Sequence, residues 1–254
     1  MTFNPRSDQS KGPSNSLAPD QVLAVLKHGE IVSHSLIPMG SNYTFLVNLH
    51  TQGVGELSAI YKPMRGERTL WDFPRGTLYR REYATYVVSQ ELGWDFVPLT
   101  IIRDGPYGVG SIQLFIPSEP DVTFFDLRDT NPEEMQNIAV LDLLVNNADR
   151  KGGHCLRGLD GGIWAIDHGL TFNVMPKLRT VIWDYAGEVI PENLQANLLA
   201  VSRTIPVAGG FWDCLFTVLH VEEVEAFHRR ILNLLERPIF PSPRSYMDIP
   251  WPLI

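Results

Sequence analysis

Two acids carry the clearest chemistry in this sequence. Asp149 closes the run Asn146-Asn147-Ala148-Asp149, which follows an apolar, helix-like stretch from Ile138 to Val145. Asp167 follows a short apolar strand, Ile163 to Ile166, and precedes His168-Gly169. Each acid sits at the end of a rigid element and the start of a turn. They stand 18 residues apart, with the Gly-rich turns Lys151-Gly152-Gly153 and Asp160-Gly161-Gly162 between them. That spacing suits a hairpin returning the second acid to the first. Nucleotide-dependent phosphoryl transfer needs such a pair: one carboxylate orients or deprotonates the acceptor hydroxyl, and the other holds the metal bridging the phosphates. For either acid alone the plainer alternative is surface punctuation, because Asx side chains bond their own backbone and Gly accepts positive φ.

Other elements must position the pair. Pro132, Glu133 and Glu134 open a helix, where the macrodipole favours acids. Met135, Ile138, Ala139, Leu141, Leu144 and Val145 form its buried stripe. Asp142 lies inside that stripe and needs partners there, so it is predicted to hold the turn rather than react. Upstream, Leu57 to Lys62 reads as a strand after the turn Gln52-Gly53-Val54-Gly55. A lysine ending an apolar strand snorkels along the cleft that the strand borders. The helix predicted over 75–92 offers Glu82 as its partner, with Glu91 near the helix end as the alternative. The remaining pattern predicts helices over 19–28, 191–203 and 221–236 and strands over 30–38, 43–49, 96–102 and 109–116, with an irregular stretch from 118 to 132.

The motif Asp149-Arg150-Lys151-Gly152-Gly153-His154, followed by Ile166-Asp167-His168-Gly169, resembles the catalytic core of the bacterial phosphatidylinositol 3-/4-kinase-like branch of the protein-kinase superfamily. That branch carries Asp-Arg-His-x-x-Asn and then Ile-Asp-Phe-Gly. Ala59-Ile60-Tyr61-Lys62, the Pro63-x-x-Gly66-Glu67 pattern, and Val97-Pro98-x-Thr100 with Gln113-x-Phe115 extend the resemblance, which covers roughly residues 38–172.

The resemblance implies an α+β, two-lobed protein-kinase-like fold with ATP and Mg²⁺ or Mn²⁺ in its cleft. An antiparallel-sheet lobe would span 19–116 and a mainly helical lobe 117–254, behind a disordered leader of 1–18. Asp149, Lys62 and Arg150 form the implied catalytic set: Asp149 meets the acceptor, Lys62 holds the non-transferring phosphates, and Arg150 braces the turn or pairs with an acid. Gly40, Ser41 and Asn42 occupy the phosphate-covering turn, and Glu82 steadies Lys62. Gln113 to Pro117, Phe115 included, form the hinge whose backbone would read the adenine edge. Asp167 and His154 form the implied metal pair. His154 stands where the branch has Asn. Imidazole suits Mn²⁺ better than hard Mg²⁺, which prefers oxygen, and the alternative makes His154 a structural donor. His168, in the branch's Phe position, packs or contacts phosphate.

Composition narrows the setting. The 254 residues carry a formal charge of −8, against a broad electrostatic grip on nucleic acid or an anionic bilayer. The polar N-terminus lacks the apolar core of a secretory signal, and two cysteines make no disulfide framework, so a cytoplasmic protein is predicted. No P-loop, GxSxG elbow or zinc spacing occurs. The reading is therefore a monomeric, ATP- and metal-dependent kinase acting on a hydroxyl of a small molecule, lipid or protein. The alternatives are AMP transfer on the same fold, or a nucleotide-binding pseudokinase.

Overall fold

The computed structural model describes residues 17–38, 42–204 and 206–254. Helix α1 (Pro19–His28) begins at a proline, whose fixed φ suits the first helical position. It buries Val22, Val25 and Leu26 against a five-stranded antiparallel sheet. The strands are β1 (Glu30–Ile37), β2 (Thr44–Thr51), β3 (Gly55–Pro63), β4 (Thr100–Gly105) and β5 (Gly108–Leu114), in the order β1-β2-β3-β5-β4. The two-residue period of β3 fixes where its lysine points. Leu57, Ala59, Tyr61 and Pro63 are buried, and the first three pack under α1 with Val47, Leu49, Ile101 and Ile112. Ser58, Ile60 and Lys62 therefore face the other side.

Helix α2 (Leu78–Glu91) buries residues around most of its circumference, including Tyr79, Arg81, Glu82, Ala84, Thr85 and Val88. A helix so enclosed lies between two layers rather than on one surface. The second layer is helical: α3 (Phe124–Thr130), α4 (Pro132–Val145), α5 (Glu192–Ser202), α6 (Phe211–Val218) and α7 (Val221–Glu236), with a small hairpin of β6 (Cys155–Arg157) and β7 (Ile163–Ala165). Leu127, Ile138, Leu141, Leu144, Phe172, Leu198, Leu215 and Phe227 share its core. The fold is α+β and two-lobed, as the sequence implies.

Three local expectations need correction. Within the stretch taken as irregular, Thr123 and Asp126 cap α3 reciprocally, with Asp126 Oδ2 accepting from the Thr123 N–H at 2.9 Å. Helix α6 was not predicted; its short run holds only Trp212 and Leu215 as fully buried positions. Strand β4 begins at Thr100 rather than 96, because Pro98 has no N–H to give a ladder. Phe96 and Val97 pack instead into the helical lobe. The leader, apart from residues 17 and 18, and the turn residues Gly40 and Ser41 lie outside the described residues.

Candidate active site

The front-half lysine and the back-half acid meet. Lys62 Nζ bonds Asp167 Oδ1 at 2.8 Å and also donates to Glu82 Oε1 from α2. Glu82, not Glu91, is therefore the helix partner. Burial disfavours a charged Lys62, but Asp167 and Glu82 together outweigh it and hold the ammonium above its ordinary range. Lys62 in turn is the main reason that the Asp167 carboxyl stays well below the usual carboxylate range, against the opposing effect of burial. The second oxygen of Glu82 accepts the backbone N–H of His168 at 2.8 Å. One carboxylate on α2 thus fixes both the lysine and the turn bearing Asp167. Asp167 adopts a left-handed backbone (φ 60°), a strained choice for a residue with Cβ. Its side chain is 49% exposed, opening onto the cleft.

Asp149 reaches the same cleft from the end of α4. Asn146 ends the helix in the left-handed region at φ 52°. Its amide donates to the carbonyls of Asn173 and Met175. Asn147 then bonds Asp142 Oδ1 and accepts the Asp149 N–H at 3.0 Å, which fixes the direction in which the acid leaves the turn. Lys151 Nζ sits 3.3 Å from Asp149 Oδ2. Burial pushes the Asp149 carboxyl up despite that lysine, toward the range useful to a base.

Asn42, Tyr43, Lys62, Glu67, Glu82, Asp149, Lys151 and Asp167 all line this one cleft. Of these, Lys151 and Glu67 have no cleft role in the sequence reading, nor has Asn147, buried behind the cleft, a part in holding Asp149. The doubled asparagine after an apolar helix was the available signal for Asn147. Asn42 is turned partly inward, accepting the backbone N–H of Arg68 at 2.7 Å.

Arg150 keeps the bracing role expected of it, from a buried position, and two assignments change. Arg150 is fully buried and does not line the cleft. Its guanidinium bonds Asp142 twice through Nε, donates to the Ile166 carbonyl at 2.8 Å and reaches His168 Nε2 at 2.7 Å. It is a brace joining the two acidic turns, and Asp142 is its buried counter-ion. Gln113 lies inside the ladder between Ile60 and Thr100, and its amide donates to Thr100 Oγ1. The Phe115 N–H already donates to the Ser58 carbonyl at 3.1 Å. Neither residue offers a free N–H edge to a base.

His154 lies next to the second acid. The Lys151 N–H donates to His154 Nδ1 at 3.3 Å, which places the neutral ring's proton on Nε2, 3.4 Å from Asp167 Oδ2. Burial pushes its pKa down to about 4, so the imidazole is uncharged near neutrality. His154 therefore stands beside Asp167 as an uncharged ring. His168 is buried against Arg150 and makes no approach to the cleft. Cys155 is fully buried and its thiol is pushed up to about 12, excluding a thiolate nucleophile.

Among the described residues, no three or more His, Cys, Asp or Glu side chains cluster as a ready metal cage. The cleft still fits a divalent cation bound together with a polyphosphate. Its lining sets four carboxylates (Glu67, Glu82, Asp149, Asp167) against two ammonium groups, an excess of negative charge that a polyphosphate could join only with its cations. Mg²⁺ in such sites commonly takes one or two carboxylates and fills its remaining positions with phosphate and water.

Comparison with known proteins agrees with this architecture. Protein Rv2133c of Mycobacterium tuberculosis is 38% identical over 269 aligned positions, which cover 92% of this chain and 95% of that one. No protein-family model matches the chain. Among solved structures, the Golgi casein kinase superposes with a TM-score of 0.54 at 16% identity, over 85% of this chain and 73% of that one. The same kinase with Mn/ADP bound gives 0.53 at 14%, over 85% and 74%. At such identity the likeness shows a kinase-like fold.

Proposed function

The chain belongs to the family of Protein Rv2133c, and from its fold and cleft we propose that it is an ATP- and divalent-metal-dependent phosphotransferase acting on a hydroxyl acceptor. The observation that carries this reading is Lys62, bonded at once to Glu82 and Asp167 at the mouth of a cleft that Asp149 also enters. A lysine poised between a helix carboxylate and a metal-type carboxylate is the arrangement that holds the phosphates of a nucleotide. The Golgi casein kinase structure with Mn/ADP bound supports nucleotide and metal use on this fold. Kinship with the phosphatidylinositol 3-/4-kinase-like branch is part of the proposal, supported by the Asp149-Arg150 and Ile166-Asp167-x-Gly169 motifs.

Each residue then has a task. Lys62 holds the non-transferring phosphates, and Glu82 keeps it extended. Asp167 is the metal carboxylate, with the uncharged His154 ring beside it. A bound Mg²⁺ or Mn²⁺ would supply charge neutralisation on the phosphoryl oxygens. Asp149, held by Asn147, accepts the proton of the acceptor hydroxyl, and Lys151 keeps it directed into the cleft. Arg150 and Asp142 hold the two acidic turns at their spacing.

Incubation with ATP labelled at the γ or α position, with Mg²⁺ or Mn²⁺, tests the reading. Transfer of the γ label to water or an acceptor is expected, and loss of that transfer by roughly 10²- to 10⁴-fold in Asp149→Ala. Transfer of the α label instead would mark an AMP transferase, and binding without transfer a pseudokinase.

A further inference from the structure

Arg81, the neighbour of Glu82 on α2, is fully buried and points the other way, into the helical lobe. Its Nη2 bonds Glu223 Oε1 at 2.5 Å, and Glu223 is itself buried at the start of α7. Its Nη1 donates to the Thr171 carbonyl at 2.5 Å. One turn along, Thr85 Oγ1 lies 3.3 Å from Thr171 Oγ1, which donates to the His168 carbonyl at 2.8 Å. Glu82 meanwhile grips the His168 N–H. Two adjacent residues, about 100° apart on the helix, thus hold both ends of the segment 168–171 that follows Asp167. The other oxygen of Glu223 accepts the His220 N–H at 3.0 Å and caps α7.

A buried ion pair is weak evidence for stability as such, since two ions lose hydration to form it. What this pair fastens is more telling. Helix α2 belongs in sequence to the sheet lobe, yet the Arg81–Glu223 contact ties it to the last helix of the other lobe. We infer that Arg81 and Glu223 are positioning residues: they lock α2 to α7, and so hold Glu82 in register with Lys62 and the Asp167 turn. The inference rests on the phosphotransferase reading for its consequence, but not for its geometry. A helix free to swing would let Glu82 leave Lys62, and the lock removes that freedom.

The test uses the full chain with Glu223→Gln, which keeps the α7 cap, and Arg81→Met/Glu223→Gln, which leaves no lone buried charge. Leu127→Ala in α3 is the control for plain destabilisation. Three readouts are taken below each variant's unfolding temperature: acylation rate of Lys62 by an amine-reactive reagent, affinity for Mn–ADP, and γ-phosphate turnover. In the double variant Lys62 should label about tenfold faster and Mn–ADP should bind about tenfold more weakly, roughly 1.4 kcal/mol. Leu127→Ala, at matched loss of Tm, should alter neither. Wild-type labelling of Lys62 in the double variant, or equal effects from Leu127→Ala, would overturn the inference. If wild-type protein neither binds nucleotide nor transfers phosphate, the functional reading fails, while the Lys62 labelling still decides the lock.

Discussion

At the scale of single residues, His154 separates two ways of building the same site. Its Nδ1 accepts the Lys151 N–H only while the ring is neutral, and burial keeps it so, with a pKa of about 4 against an ordinary value of 6.5. Between those values the unfolded chain binds a proton that the folded chain refuses. This contribution to stability is therefore complete above about pH 6.5 and is lost as the pH falls toward 4. His168 is displaced in the same direction by burial and Arg150. Thermal unfolding between pH 7 and 5 should show the wild type losing roughly 2 kcal/mol through His154 alone. His154→Asn should flatten that dependence; an unchanged slope would mean that the ring titrates normally. The side chains that touch one another were legible in the sequence, because a lysine ending an apolar strand and an acid inside an apolar helix each demand a partner. Lys62–Glu82 follows from that demand; for Asp142 the need of a partner was legible, but not that Arg150 supplies it. Base recognition was not legible: main-chain contacts leave no mark on residue type, and of the segment 113–117 named for it, the Gln113 amide and the Phe115 N–H are engaged within the sheet.

At the scale of elements, the turn after Asp149 owes its shape to close packing as well as hydrogen bonds. A Cβ on Gly152 would meet the Phe125 ring at 2.8 Å and the Leu253 carbonyl at 3.3 Å. That same carbonyl accepts the Gly152 N–H at 2.7 Å, so the segment near 253 straps the turn from outside. Further along the strap, Asp248 accepts from Thr180 and Met247 from Arg179, whose own carbonyl takes the Arg150 N–H. Gly152→Ala should cost about 1–3 kcal/mol by overpacking, read as a lower Tm. Turnover should fall further than nucleotide affinity, since Asp149 serves the acceptor and Lys62 the nucleotide. Equal losses of both would place the turn's role elsewhere. Most long elements could be read from periodicity, including α1, β3, α4 and α7. The short ones, α3 and α6, escaped because seven or eight residues hold too few apolar repeats to stand out.

At the scale of the whole molecule, the two large cores, one under the sheet and one among the helices, flank a cleft beside which a small third cluster of Phe73, Leu78 and Ala148 joins residues of both lobes. A ligand that bridges the lobes should stabilise the folded chain by mass action, by about 2.7 kcal/mol when present at a hundred times its Kd. No described helix is long and apolar enough to cross a membrane. The central claim is that Lys62, Asp149 and Asp167 surround one metal-bound triphosphate. Calorimetric titration with Mn–ATP of wild type, Asp149→Ala and Asp167→Ala tests it most directly. The account predicts binding to wild type, near-equal affinity in Asp149→Ala, and at least a tenfold loss in Asp167→Ala, about 1.4 kcal/mol or more. Equal binding by all three, or none by the wild type, would contradict it.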